Sequence, residues 1–223
     1  MSTVTISAGD VNKLRQMTGA GMMDCKKALE ESDGNIQIAI ENLRKKGLSL
    51  ANKKAHRTTT EGLIDSYIHA GSKIGVMIEM NCETDFVARR IEFHELSKNI
   101  AMQIAACPSI EYITIEDIPV EVIDREKRIE EGKKDLINKP LDIRSKIIEG
   151  RIQKRLEELS LVNQLFIRDT QISVQDLINK NIALLGENIK VRRFCRFILG
   201  DGLDKRFDNL AQEVKNTISD TTN

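Results

Sequence analysis

The sequence lacks tryptophan, and it contains only three prolines and four cysteines among its 223 residues. The cysteines stand singly at Cys25, Cys82, Cys107 and Cys195, without a C-x-x-C pair, and the three histidines are scattered. Structural zinc sites use closely spaced pairs of such ligands. We therefore expect no metal site, and we expect free thiols in a reducing compartment.

The chain also lacks an excess of either charge, since 34 lysines and arginines balance 34 aspartates and glutamates. Proteins that bind nucleic acids through the phosphates normally carry a basic excess. Direct nucleic-acid binding is therefore not expected. The basic segment 53–57 nevertheless keeps a ribosome- or RNA-associated binding module open as the alternative function.

Long hydrophobic runs are absent too, because no apolar stretch reaches membrane-spanning length and the first residues form no basic-then-apolar leader. No cysteine stands at a spacing that suggests a neighbouring base for thiol catalysis. We expect a soluble, unsecreted protein that does not bind membranes and is not an enzyme.

Helical spacing dominates the N-terminal region. The first predicted helix follows residue 10 and is broken by residues 18–21, and the next two run over about 22–31 and 35–46. Asp10 is the expected N-cap of the first helix, which places Val11, Leu14 and Met17 on one side. Gly47 is the expected residue just past the end of the third helix. Three short helices in fewer than fifty residues predict a small bundle, followed by a polar linker from Lys53.

Two adjacent methionines, Met22 and Met23, begin the second predicted helix. Neighbouring side chains on a helix point about 100° apart, so both cannot face one core. Either one methionine is exposed as an adaptable contact, or the pair is partly buried, and the sequence leaves both interpretations open. The preceding Gly19-x-Gly21 is a turn, since it lacks the strand and the Lys-Ser/Thr of a phosphate loop.

The period changes to two after Glu61, where residues 61–69 and 74–81 predict a β-hairpin. The following helix, to residue 106, carries an apolar stripe that should cover one face of the hairpin. The stripe comprises Ile91, Leu96, Ile100 and Ile104. Residues of about 119–160 predict a hairpin of helices, with Pro119 at its first helical position.

The last third of the chain predicts a short strand over 164–167, a helix capped by Ser173 and a strand over 189–199. Alternation in that final strand groups Val191 with Arg193, Cys195 and Phe197 on one face. The other face groups four further side chains, namely Arg192, Phe194, Arg196 and Ile198. A terminal amphipathic helix follows from Leu203. The fold class is α+β.

The strand-to-helix junction over residues 81–90 combines Asp85 with the large apolar side chain of Phe86. Thr84 or Asp85 could cap the following helix by accepting an unpaired backbone N–H. The local rule then predicts Phe86 as an ordinary buried residue. The alternative is that the ring projects into another molecule.

Several motifs resemble the translation elongation factor Ts family closely and over nearly the whole chain. The longest are Leu-Arg-Gln-Met-Thr-Gly-Ala-Gly-Met-Met-Asp-Cys-Lys-Lys-Ala-Leu over 14–29 and Asn-Cys-Glu-Thr-Asp-Phe-Val-Ala over 81–88. Shorter matches lie at 149–151, 186–189 and 191–194. The resemblance implies a ubiquitin-associated-like three-helix domain over 1–55, an α+β core over 56–200, and a C-terminal amphipathic helix and tail over 201–223.

The resemblance also implies a function in protein biosynthesis, as a guanine-nucleotide exchange factor of the GTPase elongation factor Tu. In the family, the loop corresponding to Thr84, Asp85, Phe86 and Val87 inserts into the nucleotide domain of the GTPase and disturbs its Mg²⁺ and phosphate site. The N-terminal domain touches the same GTPase domain. At the matching positions, these contacts are Arg15, Met22 and Met23. No cofactor is implied.

The chain resembles the short form of the family, because it has one hairpin-plus-helix unit and one Asp-Phe loop. That form is found in cyanobacteria, plastids and some thermophiles, so a bacterial cytoplasm or a plastid stroma is expected. Short members are expected to act as homodimers. The helical pair over 119–160 and the strand around Cys195 are the candidate interfaces.

Overall fold

The computed structural model of the protein describes residues 6–136 and 140–203. Its helices are α1 Ala8–Thr18, α2 Met22–Glu31, α3 Ile36–Lys54, α4 Asp85–Ala88, α5 Ile91–Ala106, α6 Val120–Glu131, α7 Leu141–Leu159 and α8 Val174–Leu185. Its strands are β1 Glu61–Ile68, β2 Ile74–Cys82, β3 Leu165–Phe166, β4 Asp169–Ser173 and β5 Ile189–Ile198. The predicted α+β class is confirmed.

The terminal helix predicted from Leu203 lies, apart from that residue, outside the described part of the chain. Among the described helices, none combines the length and the apolarity that crossing a bilayer requires.

The first two helices form the predicted bundle with α3, but the cap of α1 differs from the prediction. Ser7, rather than Asp10, is the N-cap, because its hydroxyl accepts the backbone N–H of Asp10 at 3.1 Å. Leu14 is fully buried as predicted, whereas Met17 is 54% exposed and does not share the inner side. Gly19 ends α1 in the left-handed conformation, with φ 72°.

Helix α3 continues through Gly47 to Lys54, so its predicted end at residue 46 is wrong. Gly47 is buried, and a Cβ added to it would lie 3.5 Å from the side chain of Ala183 in α8. The absence of a side chain therefore lets α3 pass close to α8, and this contact compensates for the poor helix propensity of glycine. Ala51, one turn further along, already belongs to the core of the following region. The predicted boundary near residue 55 stays a prediction.

The main sheet is antiparallel in the order β1-β2-β5, and the predicted hairpin is confirmed. Helix α5 covers its inner face, and their contact forms the largest buried cluster. The side chains of α5 that lie in this cluster include Phe93, Leu96, Ile100 and Ile104. Ile91 was predicted in this stripe but is 70% exposed. The residues at 93, 96, 100 and 104 follow helical spacing better, which explains why Phe93 takes the inner position.

A β-bulge in β5 changes the predicted alternation of its side chains. Val191 pairs with Met80 and Arg193 pairs with Glu79, which leaves Arg192 as an extra residue. Arg192 and Arg193 both donate to the carboxylate of Glu79, each at 2.6 Å, and these hydrogen bonds hold the pKa of Glu79 below its ordinary value.

The bulge determines which side chains of β5 share a face. Val191 is buried, Phe194 packs against the core, and Arg196 donates to main-chain oxygens of the α5 end. Cys195 and Phe197 lie on the outer face. The prediction that grouped Val191 with Cys195 and Phe197 is therefore wrong, because one extra residue reverses the alternation beyond it.

The predicted hairpin of helices is formed by α6 and α7. Arg155 pairs with Glu126 at 3.6 Å and Arg151 with Glu130 at 3.4 Å, so residue numbers rise along one helix as they fall along the other. The helices are therefore antiparallel. Pro119 was predicted as the first helical residue of α6 but occupies the N-cap, one position earlier, and the helix begins at Val120. The predicted cap of α8 by Ser173 is confirmed, whereas β4, which pairs with β3, was not predicted.

We expect Gly47→Ala to stabilise the protein by roughly 0.5–1 kcal/mol, because alanine favours helix and its methyl group would meet Ala183 at an ordinary contact distance. Gly47→Leu should destabilise it by about 1–3 kcal/mol, because the larger side chain would force α3 away from α8. Urea unfolding would measure both changes.

Gly150 in the middle of α7 is the matched control, since a Cβ there would meet nothing within 4 Å. Both Gly150→Ala and Gly150→Leu should be stabilising. If Gly47→Leu proved as stable as Gly47→Ala, the close packing of α3 on α8 would be contradicted.

Candidate functional site

The junction after β2 is a separate one-turn helix, α4, rather than the start of one long helix. Arg89 and Arg90 interrupt the helical path before α5 begins at Ile91. The guanidinium of Arg90 donates twice to the carboxylate of Glu92, at 3.1 and 2.6 Å. The predicted single helix from Thr84 to residue 106 is therefore corrected to two helices with a break.

Phe86 projects from α4 with 78% of its surface exposed, whereas Val87 and Ala88 are buried at 7% and 8%. Successive side chains on a helix differ in direction by about 100°, so anchors on one side leave the ring on the other. The local expectation of a buried Phe86 is wrong. Val87, for which a contact with a partner stays a prediction, anchors the turn in the core of its own chain.

Asp85 lies beside the exposed ring with an accessible carboxylate. Arg89 donates to it at 2.7 Å, and the two side chains are 46% and 77% exposed. Water weakens an ion pair at such a surface, whose contribution to stability is typically about 0–1 kcal/mol. Another molecule could therefore separate Asp85 from Arg89 easily.

Glu187, in the turn between α8 and β5, binds the residues that lead into α4. One carboxylate oxygen accepts the backbone N–H groups of Glu83 and Thr84 at 3.1 and 2.9 Å. The other accepts the hydroxyl proton of Thr84 at 2.6 Å. Thr84 stands at the N-cap of α4 but makes no side-chain cap bond, because its hydroxyl is engaged here.

A second carboxylate, that of Glu83, accepts a hydrogen bond in the opposite direction, from the segment that carries Glu187. Glu83 accepts the backbone N–H of Asn188 at 2.7 Å and a guanidinium N–H of Arg57 at 3.2 Å. The N–H of Asn188 and then the Arg57 guanidinium hold the pKa of Glu83 below its ordinary value. We call the crossed hydrogen bonds of Glu83, Thr84, Glu187 and Asn188 the carboxylate clasp.

Asn188 extends the clasp to the segment that follows α3. It is 2% exposed, and its side-chain amide donates to the carbonyl oxygens of Ala55 and Arg57 at 3.3 and 2.8 Å. Sequence reasoning included Glu187 and Asn188 only as part of a family motif and gave them no role. Their partners lie more than 100 residues away along the chain, so no local pattern could indicate the contact.

Cys82 ends β2 immediately before the clasp and is fully buried. Its thiol donates to the carbonyl oxygen of Thr84 at 3.1 Å. Burial, followed by the nearby negative charge of Glu187, raises the pKa of Cys82 to about 11. The thiol is therefore protonated at neutral pH, and it contributes a hydrogen bond to the turn instead of a nucleophile.

The remaining predicted site residues lie on the N-terminal bundle. Arg15 is exposed, and Met22 and Met23 are 43% and 67% exposed, so both methionines and not one face solvent. The exposed Met17 flanks the same loop and was missed because helical spacing placed it inward. Within residues 6–136 and 140–203, no hydrogen bond or ion pair joins these side chains to the Asp85-Phe86 turn, so they form a separate surface.

An exposed aromatic ring beside an accessible carboxylate, on a turn held by buried anchors and by the clasp, is an arrangement suited to docking into another protein. Among the described residues, no group of three or more His, Cys, Asp or Glu side chains could hold a metal ion. The fold and the site together define a protein-binding factor.

Comparison with known proteins agrees with this class. A family model described as Elongation factor TS matches residues 4–201. The chloroplastic elongation factor Ts of Guillardia theta is 59% identical over 217 residues, which cover 97% of this chain and 99% of the relative. That of Rhodomonas salina is 61% identical over 210 residues, or 94% of this chain and 96% of the relative.

A cyanobacterial relative, the elongation factor Ts of Synechococcus elongatus, is 59% identical over 209 residues, or 94% of this chain and 95% of the relative. The chain belongs to the elongation factor Ts family. Members of this family are nucleotide exchange factors of elongation factor Tu and do not catalyse a chemical reaction themselves. These relatives are of nearly the same length, which confirms the resemblance to the short cyanobacterial and plastid form.

The clasp should make stability depend on pH through Glu83. Because its pKa is lowered in the folded protein, the charged form stabilises the fold above the unfolded pKa of about 4.3, and this contribution is lost as pH falls through the folded pKa. We expect Glu83→Gln to lower the free energy of unfolding by about 1 kcal/mol at pH 7. Urea titrations at several pH values should show the difference shrinking below about pH 4.

Glu149→Gln, at an exposed position of α7, is the control and should change stability little at any of these pH values. A parent–Glu83→Gln difference of the same size at pH 3 and pH 7 would contradict an ionised Glu83 in the clasp.

Proposed function

We propose that this protein promotes the release of GDP from elongation factor Tu by inserting the Asp85-Phe86 turn near the Mg²⁺ and phosphates of the GTPase. Membership of the elongation factor Ts family supports the partner. The observation that carries the mechanism is the exposure of Phe86, at 78%, next to the buried anchors Val87 and Ala88. A large apolar side chain held away from its own core is available to enter another.

The energy required limits what one side chain can do. An exchange factor binds the nucleotide-free GTPase more tightly than the GDP-bound form. By reciprocity, the factor weakens the binding of GDP by the same ratio as GDP weakens the binding of the factor. A thousandfold ratio corresponds to about 4 kcal/mol. Burying Phe86 supplies roughly 1.5–3 kcal/mol, so other contacts contribute the remainder.

Asp85 contributes through charge. The GTPase holds its nucleotide with a phosphate-binding loop, a lysine and Mg²⁺. When the turn enters, Asp85 leaves its weak pair with Arg89 and brings a negative charge towards this site. The charge repels the phosphates and competes for the Mg²⁺ shell.

The N-terminal surface supplies further binding energy. Arg15, Met22 and Met23 contact the same nucleotide domain, and the exposure of both methionines fits this role. Methionine side chains adapt to the shape of a partner. These contacts hold the factor on the GTPase in both nucleotide states, while the turn discriminates between the states.

The relatives are chloroplastic and cyanobacterial proteins. The chain therefore works in a plastid stroma or in a bacterial cytoplasm.

We expect Phe86→Ala to slow factor-stimulated release of a fluorescent GDP analogue from elongation factor Tu by about 10- to 100-fold, which corresponds to losing the burial of one large apolar side chain. Asp85→Ala should slow release by a smaller factor. Stopped-flow fluorescence would measure both rates.

Leu141→Ala is the matched control, because Leu141 on α7 is also 78% exposed. It should leave the rate unchanged. The mechanism is wrong if Phe86→Ala and Asp85→Ala both stimulate release as well as the parent protein does.

A homodimer is the proposed assembly, and the outer face of the sheet is its interface. Ile68 pairs with Gly75, which pairs with Phe197, and Met77 pairs with Cys195 in the neighbouring row. Ile68, Met77 and Phe197 are 62%, 51% and 66% exposed. Paired strands lie about 4.8 Å apart, so these side chains form a continuous apolar patch of the kind that marks interfaces. The patch favours the strand around Cys195 over the helical pair.

Sedimentation at micromolar concentration should give a particle of twice the 25.2 kDa chain mass. Met77→Glu should convert it to the monomer, because a charge would be buried without a partner at the centre of the patch. Leu141→Glu, on the helical pair, should leave the dimer intact. A parent protein that sediments as a monomer and still exchanges nucleotide would exclude the assembly.

A further inference from the structure

The turn that carries Glu187 is formed by a left-handed residue. Gly186 ends α8 with φ 76°, and its N–H donates to the carbonyl oxygen of Ile182 at 2.9 Å. This conformation is accessible to glycine at little energetic expense. It turns the chain so that the next side chain, Glu187, lies against the end of β2.

Among residues 6–136 and 140–203, the side-chain hydrogen bonds of Glu187 go only to the entrance of α4. Its carboxylate accepts from the N–H of Glu83, the N–H of Thr84 and the hydroxyl of Thr84, at 3.1, 2.9 and 2.6 Å. These are consecutive groups immediately before Asp85. Glu187 therefore fixes both the position of the chain and the side-chain conformation of Thr84 at the point where the projecting turn begins.

The clasp is crossed, which matters for rigidity. Glu187 reaches back to residues 83 and 84, and Glu83 reaches forward to the N–H of Asn188 at 2.7 Å. A single set of parallel bonds could act as a hinge. Bonds in both directions between two pairs of adjacent residues oppose rotation as well as separation.

Helix α4 needs such support because it has only four residues. A single helical turn is not stable by itself in water. Val87 and Ala88 hold it from the core side, and the clasp holds its entrance. If the clasp is removed, the turn can adopt several orientations, of which only a fraction presents Phe86 correctly, and activity falls in proportion to that fraction.

We propose that Glu187 is a positioning residue for nucleotide exchange, which holds the Asp85-Phe86 turn in the orientation that enters the GTPase. The proposal rests on the function proposed above. Glu187 acts through Glu83 and Thr84 and touches neither nucleotide nor GTPase. The side chain of Glu187 is required for its length and for a hydrogen-bonding group at each of its two terminal positions, and its charge is secondary.

Two conservative variants separate the effect of the length of the Glu187 side chain from the effect of its charge. Glu187→Gln keeps the length and one acceptor oxygen for the two backbone N–H groups, and its amide can donate to the Thr84 hydroxyl. Glu187→Asp keeps the charge but is shorter by one methylene group. Positioning predicts that Glu187→Gln retains at least half of the maximal rate of GDP release, whereas Glu187→Asp and Glu187→Ala lose about tenfold. The opposite order would overturn the proposal.

The titration of factor against elongation factor Tu loaded with a fluorescent GDP analogue gives a second readout. The surface of Arg15, Met22 and Met23 binds whether or not the turn is oriented. The loss in Glu187→Ala should therefore appear mainly in the maximal rate, with a smaller change in the half-saturating concentration. A loss confined to the half-saturating concentration would contradict the proposal.

A double-mutant cycle with Phe86→Ala tests whether Glu187 acts through the turn. Once the ring is absent, its orientation has little effect, so Glu187→Ala should slow the Phe86→Ala variant by no more than about twofold. Full additivity of the two losses would overturn the proposal, because Glu187 would then act elsewhere.

Glu130→Ala is the control for general loss of stability, since Glu130 is a buried carboxylate that pairs with Lys133 and Arg151, far along the chain from the turn. It should lower the melting temperature without changing the rate. If the parent protein itself fails to accelerate GDP release, the proposed function fails and the inference with it. If the parent is active and Glu187→Ala is equally active, the inference alone fails.

Discussion

The packing of α5 across the inner face of the three-stranded sheet determines the position of the other functional elements. Phe93, Ile100 and Ile104 are completely buried against β2 and its neighbours. This contact fixes where β2 ends and where α5 begins, and the chain has eight residues, 83–90, to pass from one layer to the other. The space below that crossing already holds Cys82, Val87 and Ala88, so the ring of Phe86 remains outside.

Polar contacts hold α5 and its approach at both ends. At the far end, the guanidinium of Arg196 donates to the carbonyl oxygens of Ile104, Cys107 and Pro108, which satisfies the unpaired end of the helix. The fully buried Gln103 also connects the helix to the β3 region, by donating to Leu165 and accepting from Ile167. At the near end, the carboxylate clasp restrains the crossing. The exposed turn therefore leads into α5, a helix that polar contacts hold at both ends.

Periodicity predicted the hairpin, the apolar stripe of α5 and the antiparallel pair α6–α7, because local spacing decides these elements. It failed where distant residues decide the outcome. Nothing near Gly47 in the sequence indicates that Ala183 would pack against it, and nothing near Thr84 indicates that Glu187 would bind its hydroxyl. The orientation of Phe86 was mispredicted for the same reason. The rule for helix starts takes no account of how much space the distant core residues leave for the ring. The family resemblance supplied that orientation, and the buried anchors explain it.

Because of the bulge at Arg192, the number of residues in β5 determines which side chains lie on the outer surface of the sheet. Upstream of it, Ile189 and Val191 face the core, and downstream Phe194 and Arg196 do so although the parity of their numbers differs. Substitutions can adjust either surface independently. Loss of one residue at this point would instead exchange the two surfaces, burying Cys195 and Phe197 and presenting Phe194 and Arg196 to solvent. Evolution can therefore vary this strand by replacing residues but is strongly constrained from adding or deleting them.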